Sequence, residues 1–465
     1  MLNTDVKIDP KFKLTQVKGD HMTTEITFEQ LTQGQQIAFN STVDAIKTKG
    51  QHITINGPAG TGKTTLTKFL ISHLIKSGES GIMLSAPTHQ AKKVLSDLAG
   101  MEAQTIHSLL KINPTTYEDA TLFEQKDAPD LSKCRVLICD EVSMYDKELF
   151  RILMASVPYW CTIIGLGDIA QIRPVAPNTN VPETSLFFLN PKFKQVSLTE
   201  VMRSNAPIIE VATEIRNGKW IRESLIGDVG VHNMILSGGG SVANFMKKYF
   251  EIVKTPDDLF NTRMLAYTNS SVNNLNKIIR QKLYETKEPF IKDEVLVMQE
   301  PFIRSHTFEG KSFSEVIFNN GELIRIDSCY KGSKNLSIKS IEQNDVIECW
   351  YLDCTSLDSG ATASIVVIEN EKEMNKFQFY LSSVASIFKA GNTTGKRPNW
   401  KGWWELRNKF HKVKALPCGT IHKSQGSSVD NVFLYTPCIH KADLDLAQQL
   451  LYVSTTRARH NVYYI

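Results

Sequence analysis

Residues 23–205 alternate short, uninterrupted apolar runs with longer amphipathic stretches. Runs at 52–56, 81–86, 135–139 and 161–166 read as strands buried on both faces, and several end in Gly, Pro or Asp. Residues 64–76 and 90–98, between them, read as helices. Strand and helix in alternation predict a doubly wound parallel sheet, whose ligands bind outside the carboxyl ends of the strands. A second α/β region is predicted from strands at 263–268 and 431–435 and a helix at 444–451. Between the two, 294–298, 321–326, 345–354 and 362–368 are β-rich runs without long helices. That is the pattern of a small antiparallel barrel inserted into the second α/β domain.

The chain thus divides into a leader at 1–22, a first α/β domain at 23–205, a second at 206–288 and 411–465, and an inserted region at 289–410. A polar excursion at 112–129, holding Pro114, Tyr117 and Phe123, interrupts the first domain. Charged residues at 22% and apolar residues at 42% are ordinary globular values and argue against a mainly disordered chain. No run approaches the ~18 apolar residues that spanning a bilayer requires. The polar leader lacks the apolar segment of a signal peptide. The eight cysteines form no CxxC pair, so they read as reduced, mostly buried thiols of a cytoplasmic protein.

Chemistry enters at Gly57, Pro58, Ala59, Gly60, Thr61, Gly62, Lys63 and Thr64, a complete phosphate-binding loop followed by Thr65. It follows a predicted strand and opens a predicted helix, where glycines let backbone N–H groups approach phosphate oxygens and the helix dipole favours anions. Lys63 is placed to reach the β- and γ-phosphates, and the Thr64 hydroxyl to ligate magnesium. Asp140 and Glu141 end the strand at 135–139. In enzymes with such a loop the Asp holds Mg2+, and a neighbouring Glu can polarise the attacking water. No Asn-Lys-x-Asp guanine signature is present, which leans towards ATP.

With these two segments, Gly167-Asp168-Ile-Ala-Gln171-Ile-Arg173-Pro174-Val175 resembles the third motif of superfamily 1 helicases, and further matches follow in order. Residues 31–35 resemble the adenine-reading Q motif, with Gln35 as the reader. Ala86-Pro-Thr88-His89 and Thr105-Ile-His107 resemble the strand-contacting motifs Ia and Ib. Leu198-Thr-Glu-Val-Met-Arg203 resembles motif IV, Gly419-Thr420-Ile-His422-Lys423-Ser-Gln425-Gly426 motif V, and Tyr452-Val-Ser-Thr-Thr-Arg457 motif VI. The match spans nearly everything after residue 25 and is nearest to the RecD-like branch, which moves 5′ to 3′. The resemblance implies two RecA-like domains clasping ATP between them, with Gln171 contacting the γ-phosphate and Arg203 and Arg457 as arginine fingers.

It also implies a nucleic-acid track of Thr88, His89, Thr105, His107, Thr420, His422 and Lys423. Within 112–129, the excursion resembles the pin that splits duplex in this branch. One base stacked on Phe123 is worth ~1–3 kcal/mol, against ~0.6–2.2 for one DNA stacking step. A single aromatic therefore offsets the opening of about one base pair.

The formal net charge of +4 looks uninformative, but its distribution is not. Residues 389–414 hold eight Lys/Arg and one acid, so +7 sits in 26 residues and −3 on the rest. Trp400, Trp403 and Trp404 lie among those charges, as aromatics that either meet a DNA fork or pack the segment onto the barrel or the pin. Together with these features, the resemblance implies an ATP- and Mg2+-dependent DNA helicase moving 5′ to 3′ on single-stranded DNA and acting on forks. Its expected partners are a single-strand-binding protein and other replication or recombination proteins, in the host cytoplasm if phage-encoded, with no membrane. The alternatives are an RNA helicase of the same superfamily and a nucleic-acid-stimulated ATPase that remodels complexes without unwinding.

Overall fold

A computed structural model describes residues 27–117, 120–125, 128–174, 181–200, 206–308, 311–338, 341, 344–390 and 398–465. The leader expected at 1–22 lies outside the described residues. In the first domain, β1 (His52–Asn56), β2 (Ile82–Ala86), β3 (Ala103–Thr105), a hairpin of β4 (Ile112–Tyr117) and β5 (Ala120–Gln125), β6 (Val136–Cys139), β7 (Thr162–Gly167) and β8 (Phe193–Ser197) follow in chain order. Apart from the hairpin they make one six-stranded sheet, ordered β3-β2-β6-β7-β1-β8, with parallel pairing throughout. Helices α1 (Gln33–Lys47), α2 (Lys63–Lys76), α3 (His89–Ala99), the single turn α4 (Ile106–Leu109) and α5 (Lys147–Ser156) complete it. The strands read as continuous apolar runs because each feeds two cores. Val136 and Ile138 point into a cluster with Leu66, Leu70 and Ile164. Leu137 and Cys139 point to the other face, against Leu149, Leu153 and Phe187.

The second domain repeats the design. Helix α6 (Ala206–Arg216) leads into β9 (Ser224–Ile226) and β10 (Val229–Asn233), then α7 (Ser241–Ile252), β11 (Thr262–Ala266) and α8 (Asn269–Leu283). The insertion runs through β12 (Val295–Met298), the hairpin β13 (Phe302–Phe308) and β14 (Lys311–Phe318), β15 (Leu323–Leu336), β16 (Asp345–Ser356), β17 (Thr362–Val367), α9 (Glu371–Lys389), α10 (Trp400–Arg407) and β18 (Val413–Ala415). Then β19 (Cys418–Thr420), β20 (Val429–Tyr435), α11 (Leu444–Thr456) and β21 (Ala458–Tyr464) close the second sheet, ordered β19-β11-β20-β21-β10-β9. Only β9 pairs antiparallel. The inserted strands form a five-stranded sheet, β17-β16-β15-β12-β18, antiparallel throughout.

Three elements differ from expectation, each for a physical reason. The inserted region carries a 19-residue helix, α9, although the β-rich runs lacked long helices. Its buried Phe377, Tyr380, Leu381, Val384 and Phe388 recur at helical spacing, a readable stripe that the β-rich runs before it obscured. The strand expected to 268 stops at Ala266, and Thr268 caps α8 by accepting a hydrogen bond from the Ser271 N–H at 3.2 Å. The helix expected to stop at 451 continues to Thr456. Its polar last turn stays buried because Ser454 donates to the Leu450 carbonyl at 2.8 Å and Thr456 to the Val453 carbonyl at 2.9 Å.

His52 ties β1 to β7 with its side chain: Nδ1 accepts from the Ile163 N–H at 3.1 Å. That bond needs a neutral ring. Burial, aided by the charge of Lys192, pushes its pKa down to about 4. The unfolded chain, titrating near 6.5, takes up the proton first, so stability should fall as pH drops from about 6.5 towards 4. His52→Asn, which keeps an acceptor but does not titrate, should flatten that part of a melting-temperature profile; identical slopes for both proteins would contradict the assignment.

Candidate nucleotide site and adjoining polar track

The carboxyl end of β1 runs straight into the phosphate-binding loop, and Gly62 caps α2 at φ +72°. A Cβ on Gly62 would meet Gln35 Nε2 at 2.3 Å, so glycine is required both for the turn and for the packing. Gln35 is 3% exposed and donates to the carbonyls of Thr61 at 3.2 Å and Gly62 at 3.3 Å, while its Oε1 accepts from the Thr32 N–H at 3.0 Å. An adenine contact would therefore be made in exchange for one of these bonds. Lys63 folds over the loop, donating to the carbonyls of Gly57 and of Pro58, the latter at 3.0 Å. Burial lowers its pKa against the opposing charges of Asp168, Glu141 and Asp140. A phosphate would supply the counter-charge that this ammonium lacks in direct contact.

Asp140 and Glu141 leave β6 facing the loop. Glu141 has φ +47°, a left-handed backbone that costs a non-glycine residue on the order of 1–3 kcal/mol. Its N–H donates to Asp140 Oδ1 at 2.9 Å, and its carboxylate accepts from Gln171 Nε2 at 3.1 Å. Burial, then the neighbouring Glu141 charge, pushes Asp140 up to about 7. Asp140 with the exposed Thr64 hydroxyl is an all-oxygen donor pair, the chemistry a hard divalent cation takes when phosphate oxygens complete its shell. Among the described residues no group of three His, Cys, Asp or Glu side chains gathers as an alternative metal site.

The second sheet reaches into this site at two places. Gln425 Nε2 donates to Gln171 Oε1 at 3.3 Å, which completes a chain from Gln425 through Gln171 to Glu141. Helix α11 brings Tyr452 and Arg457. The Tyr452 hydroxyl accepts from the Ala59 N–H at 3.2 Å and donates to Asp168, which is also paired with Arg216 of α6 at 2.8 Å. Arg457, 7% exposed, donates to the carbonyls of Val453 at 3.2 Å and Ser427 at 3.1 Å and to Thr456 Oγ1 at 3.2 Å. Its charge opposes protonation of Lys63, so the two cations share a neighbourhood that an anion would relieve. Arg203 lies outside the described residues. Sequence reasoning missed Gln425, Tyr452 and Arg216 as site residues. The first two lay inside quoted motifs, whereas Arg216 carries no pattern of its own.

The expected track residues sit at the strand ends beside the nucleotide site. Thr88 and Thr105 cap α3 and α4, each accepting from an N–H three residues on at 3.2 Å, and Thr420 Oγ1 accepts from the Lys423 N–H at 3.4 Å. A capping hydroxyl still has its hydrogen to donate. Gly426, at φ +77°, lets the Gln425 turn approach Thr88 closely: a Cβ there would lie 3.1 Å from the Ala91 Cβ and 3.6 Å from Thr88 Oγ1. Burial lowers the pKa of His89 (to about 4), His107 and His422, which disfavours the cationic form of each ring. His422 lies 5.8 Å from the Tyr267 ring. Exposed Lys423 reaches Gln299 of the insertion. Burial, then the charges of Lys414 and Lys412, holds its pKa down. Tyr267, Thr268 and Asn269, the latter bonded to Lys414 at 2.5 Å, extend this polar band. They follow β11 as Thr88 and His89 follow β2, a correspondence visible only once the two sheets are superposed in topology.

Phe123 lies in the β4–β5 hairpin opposite Pro114; its side chain is outside the described residues. Trp403 is 7% exposed and donates to the Leu381 carbonyl at 2.9 Å, and Arg407 lies 5.1 Å from the Trp404 ring centroid and 5.6 Å from that of Trp403. These two rings pack α10 on α9. Trp400 keeps 38% of its surface exposed. All eight cysteines are free thiols, and among the described residues no helix is long and apolar enough to cross a membrane.

Family models agree with this layout in chain order. An AAA domain matches residues 41–177, a Dda helicase SH3 domain 287–415, and a UvrD-like helicase C-terminal domain 417–465. The chain is 52% identical over 442 residues to the ATP-dependent DNA helicase dda of Enterobacteria phage T4, covering 95% of this chain and 100% of the relative. It is 35% identical over 170 residues to the ATP-dependent RecD2 DNA helicase of Deinococcus radiodurans, covering 36% of this chain and 22% of that one. A Bacteroides Pif1 helicase solved with ADP-AlF3 and ssDNA aligns at TM-score 0.49 and 17% identity, over 93% of this chain and 92% of its own.

Lys63→Ala should lower ATP turnover by about 10²–10³, the cost of losing one donor aimed at developing charge. Because its ammonium touches only loop carbonyls, the melting temperature should barely move. An ATPase assay with a thermal melt checks both, and near-normal turnover would remove Lys63 from the site.

Proposed function

The chain belongs to the Dda helicase family, and from that premise we propose that it is an ATP-dependent DNA helicase. It moves 5′ to 3′ on single-stranded DNA, as its RecD-like motifs imply, and opens duplex ahead of it. The loop at 57–65 holds the triphosphate, with Lys63 on the β- and γ-phosphates and Gln35 at the adenine side. Thr64 and Asp140 would hold Mg2+, which would supply neutralisation of phosphate charge. Glu141 orients the attacking water, Gln171 senses the γ-phosphate, and Arg203 and Arg457 stabilise charge in the transition state, a role worth 10³–10⁵ in rate in related systems.

The track runs through Thr88, His89, Thr105, His107, Thr420, His422 and Lys423, joined by Thr268 and Asn269. Cap hydroxyls and neutral imidazoles suit a strand that must be gripped and released, since they offer donors without fixed charge. The crowded ammonium groups of Lys412, Lys414 and Lys423 gain from a phosphodiester backbone, which implies salt-dependent affinity. Phe123 acts as the wedge at the fork, and Trp400 is the aromatic of α10 still exposed enough to meet DNA there. Single-strand-binding and other replication or recombination proteins are its partners at that fork.

One observation carries the reading: the Gln425–Gln171–Glu141 chain links the strand-contacting segment of one sheet to the hydrolytic carboxylate of the other. Track occupancy and water activation thus share one run of hydrogen bonds, as a translocating ATPase requires.

A duplex with a single-stranded tail tests the whole proposal. With ATP, a 5′-tailed substrate should be unwound and a 3′-tailed one should not; the reverse would overturn the branch assignment. Single-stranded DNA should stimulate turnover more than RNA of the same length. Arg457→Ala should abolish most turnover while ATP affinity stays within about tenfold. Phe123→Ala should slow unwinding and spare DNA-stimulated ATPase, and a parallel fall in both would remove the wedge.

A further inference from the structure

Asp168 has no exposed surface, yet it lies three residues before the γ-phosphate sensor Gln171. A buried carboxylate is tolerated only when donors saturate it. Its Oδ1 accepts from the Ala170 N–H at 3.1 Å and from Arg216 Nη1 at 2.8 Å, and its Oδ2 accepts from the Tyr452 hydroxyl. The Arg216 guanidinium also lies 5.9 Å from the Tyr452 ring centroid. Both side-chain donors belong to the second sheet's helices, α6 and α11, while the carboxylate belongs to the first. The Tyr452 oxygen in turn accepts from the Ala59 N–H of the phosphate loop. One hydroxyl therefore touches both the loop and the anion.

We infer that Asp168, Arg216 and Tyr452 form an interdomain latch that seats α11 on the phosphate loop and thereby positions Arg457 for the transition state. Tyr452 lies five residues before Arg457, roughly 7.5 Å along the helix axis. Arg457 caps the carboxyl end of that helix and is tethered to it through the Val453 carbonyl. The direction in which it can extend towards a γ-phosphate is consequently set by how α11 is docked, and Tyr452 is the α11 side chain bonded to the loop itself. Tyr452 and Arg216 are positioning residues in this scheme, since neither is required to touch ATP. The inference rests on reading Arg457 as the arginine finger.

A positioning role has a kinetic signature that simple loss of folding lacks. A group that acts through the finger is felt in the transition state and not in ground-state binding, so kcat falls while KM holds. Tyr452→Phe removes one oxygen and keeps the ring. In steady-state ATPase assays with saturating single-stranded DNA it should lower kcat roughly five- to tenfold, the size of one or two lost hydrogen bonds. KM for ATP should stay within about twofold, while the melting temperature falls modestly because the buried Asp168 loses a donor; the kinetic split, not the melt, carries the test. In an Arg457→Ala background, with radiolabelled ATP to quantify residual turnover, Tyr452→Phe should cause no further loss. Arg216→Gln should behave in the same way in both backgrounds. Losses that simply multiply in the double variants would overturn the latch while leaving the finger intact, as would a rise in KM with kcat unchanged. Wild-type turnover in Arg457→Ala would instead remove the finger, and with it the latch's purpose.

Discussion

A carboxylate with no exposed surface at the end of the first sheet, Asp168, has to find its donors somewhere, and it finds two of them on the second sheet. This constrains the whole molecule. Separating the two α/β units at this point would leave a buried charge unpaired, a penalty of several kcal/mol unless water enters. The contact also lies beside the phosphate loop, because Tyr452 spans from Asp168 to Ala59. The candidate nucleotide site is thus a property of the interface and not of either sheet alone. The first sheet provides the loop, Asp140 and Glu141; the second provides Arg457, Gln425 and the latch.

The polar band at the strand ends uses the same interface differently. Gln425 bonds across it to Gln171, and Gly426 packs against the helix that Thr88 caps. A shift of one sheet relative to the other would alter the Glu141 environment and the spacing between Thr88 and Thr420 together. On the proposed reading, hydrolysis and movement along a strand are two consequences of one displacement. The inserted sheet is anchored on the second domain by Val295, Val297 and Leu323 and by the buried Arg280–Glu294 pair, and it also reaches Lys423 through Gln299 and Lys93 of the first domain through Asp358. Of these contacts, the exposed Lys93–Asp358 pair contributes little to stability.

Both parallel sheets were legible in the sequence because their strands are buried on two faces and so read as unbroken apolar runs, as in Val136–Cys139. The phosphate loop was legible because its chemistry is local: one strand end, one glycine turn and one helix start. What could not be read depends on contacts between distant positions. Asp168 and Arg216 are 48 residues apart, and neither stands out by type. The last turn of α11 lies beyond the helix expected at 444–451 because it is polar, and its hydroxyls satisfy carbonyls within their own helix, a solution that periodicity does not display. Thr88 and Thr105, expected as strand contacts, are helix caps in the fold, a local role that the motif pattern does not display.

A translocating ATPase of the proposed kind must move one sheet against the other, and the exposed surface offers sites to measure that motion. Tyr159 is 72% exposed on the first domain and Val242 47% exposed on the second. The native cysteines are buried or half-buried, so cysteines introduced at those two positions can be labelled selectively. Single-molecule energy transfer between the labels, on protein bound to single-stranded DNA, should step between two distances as MgATP binds and is hydrolysed, and should hold at one with a non-hydrolysable analogue. A single unchanging distance through turnover would contradict an interface that closes and opens with each ATP.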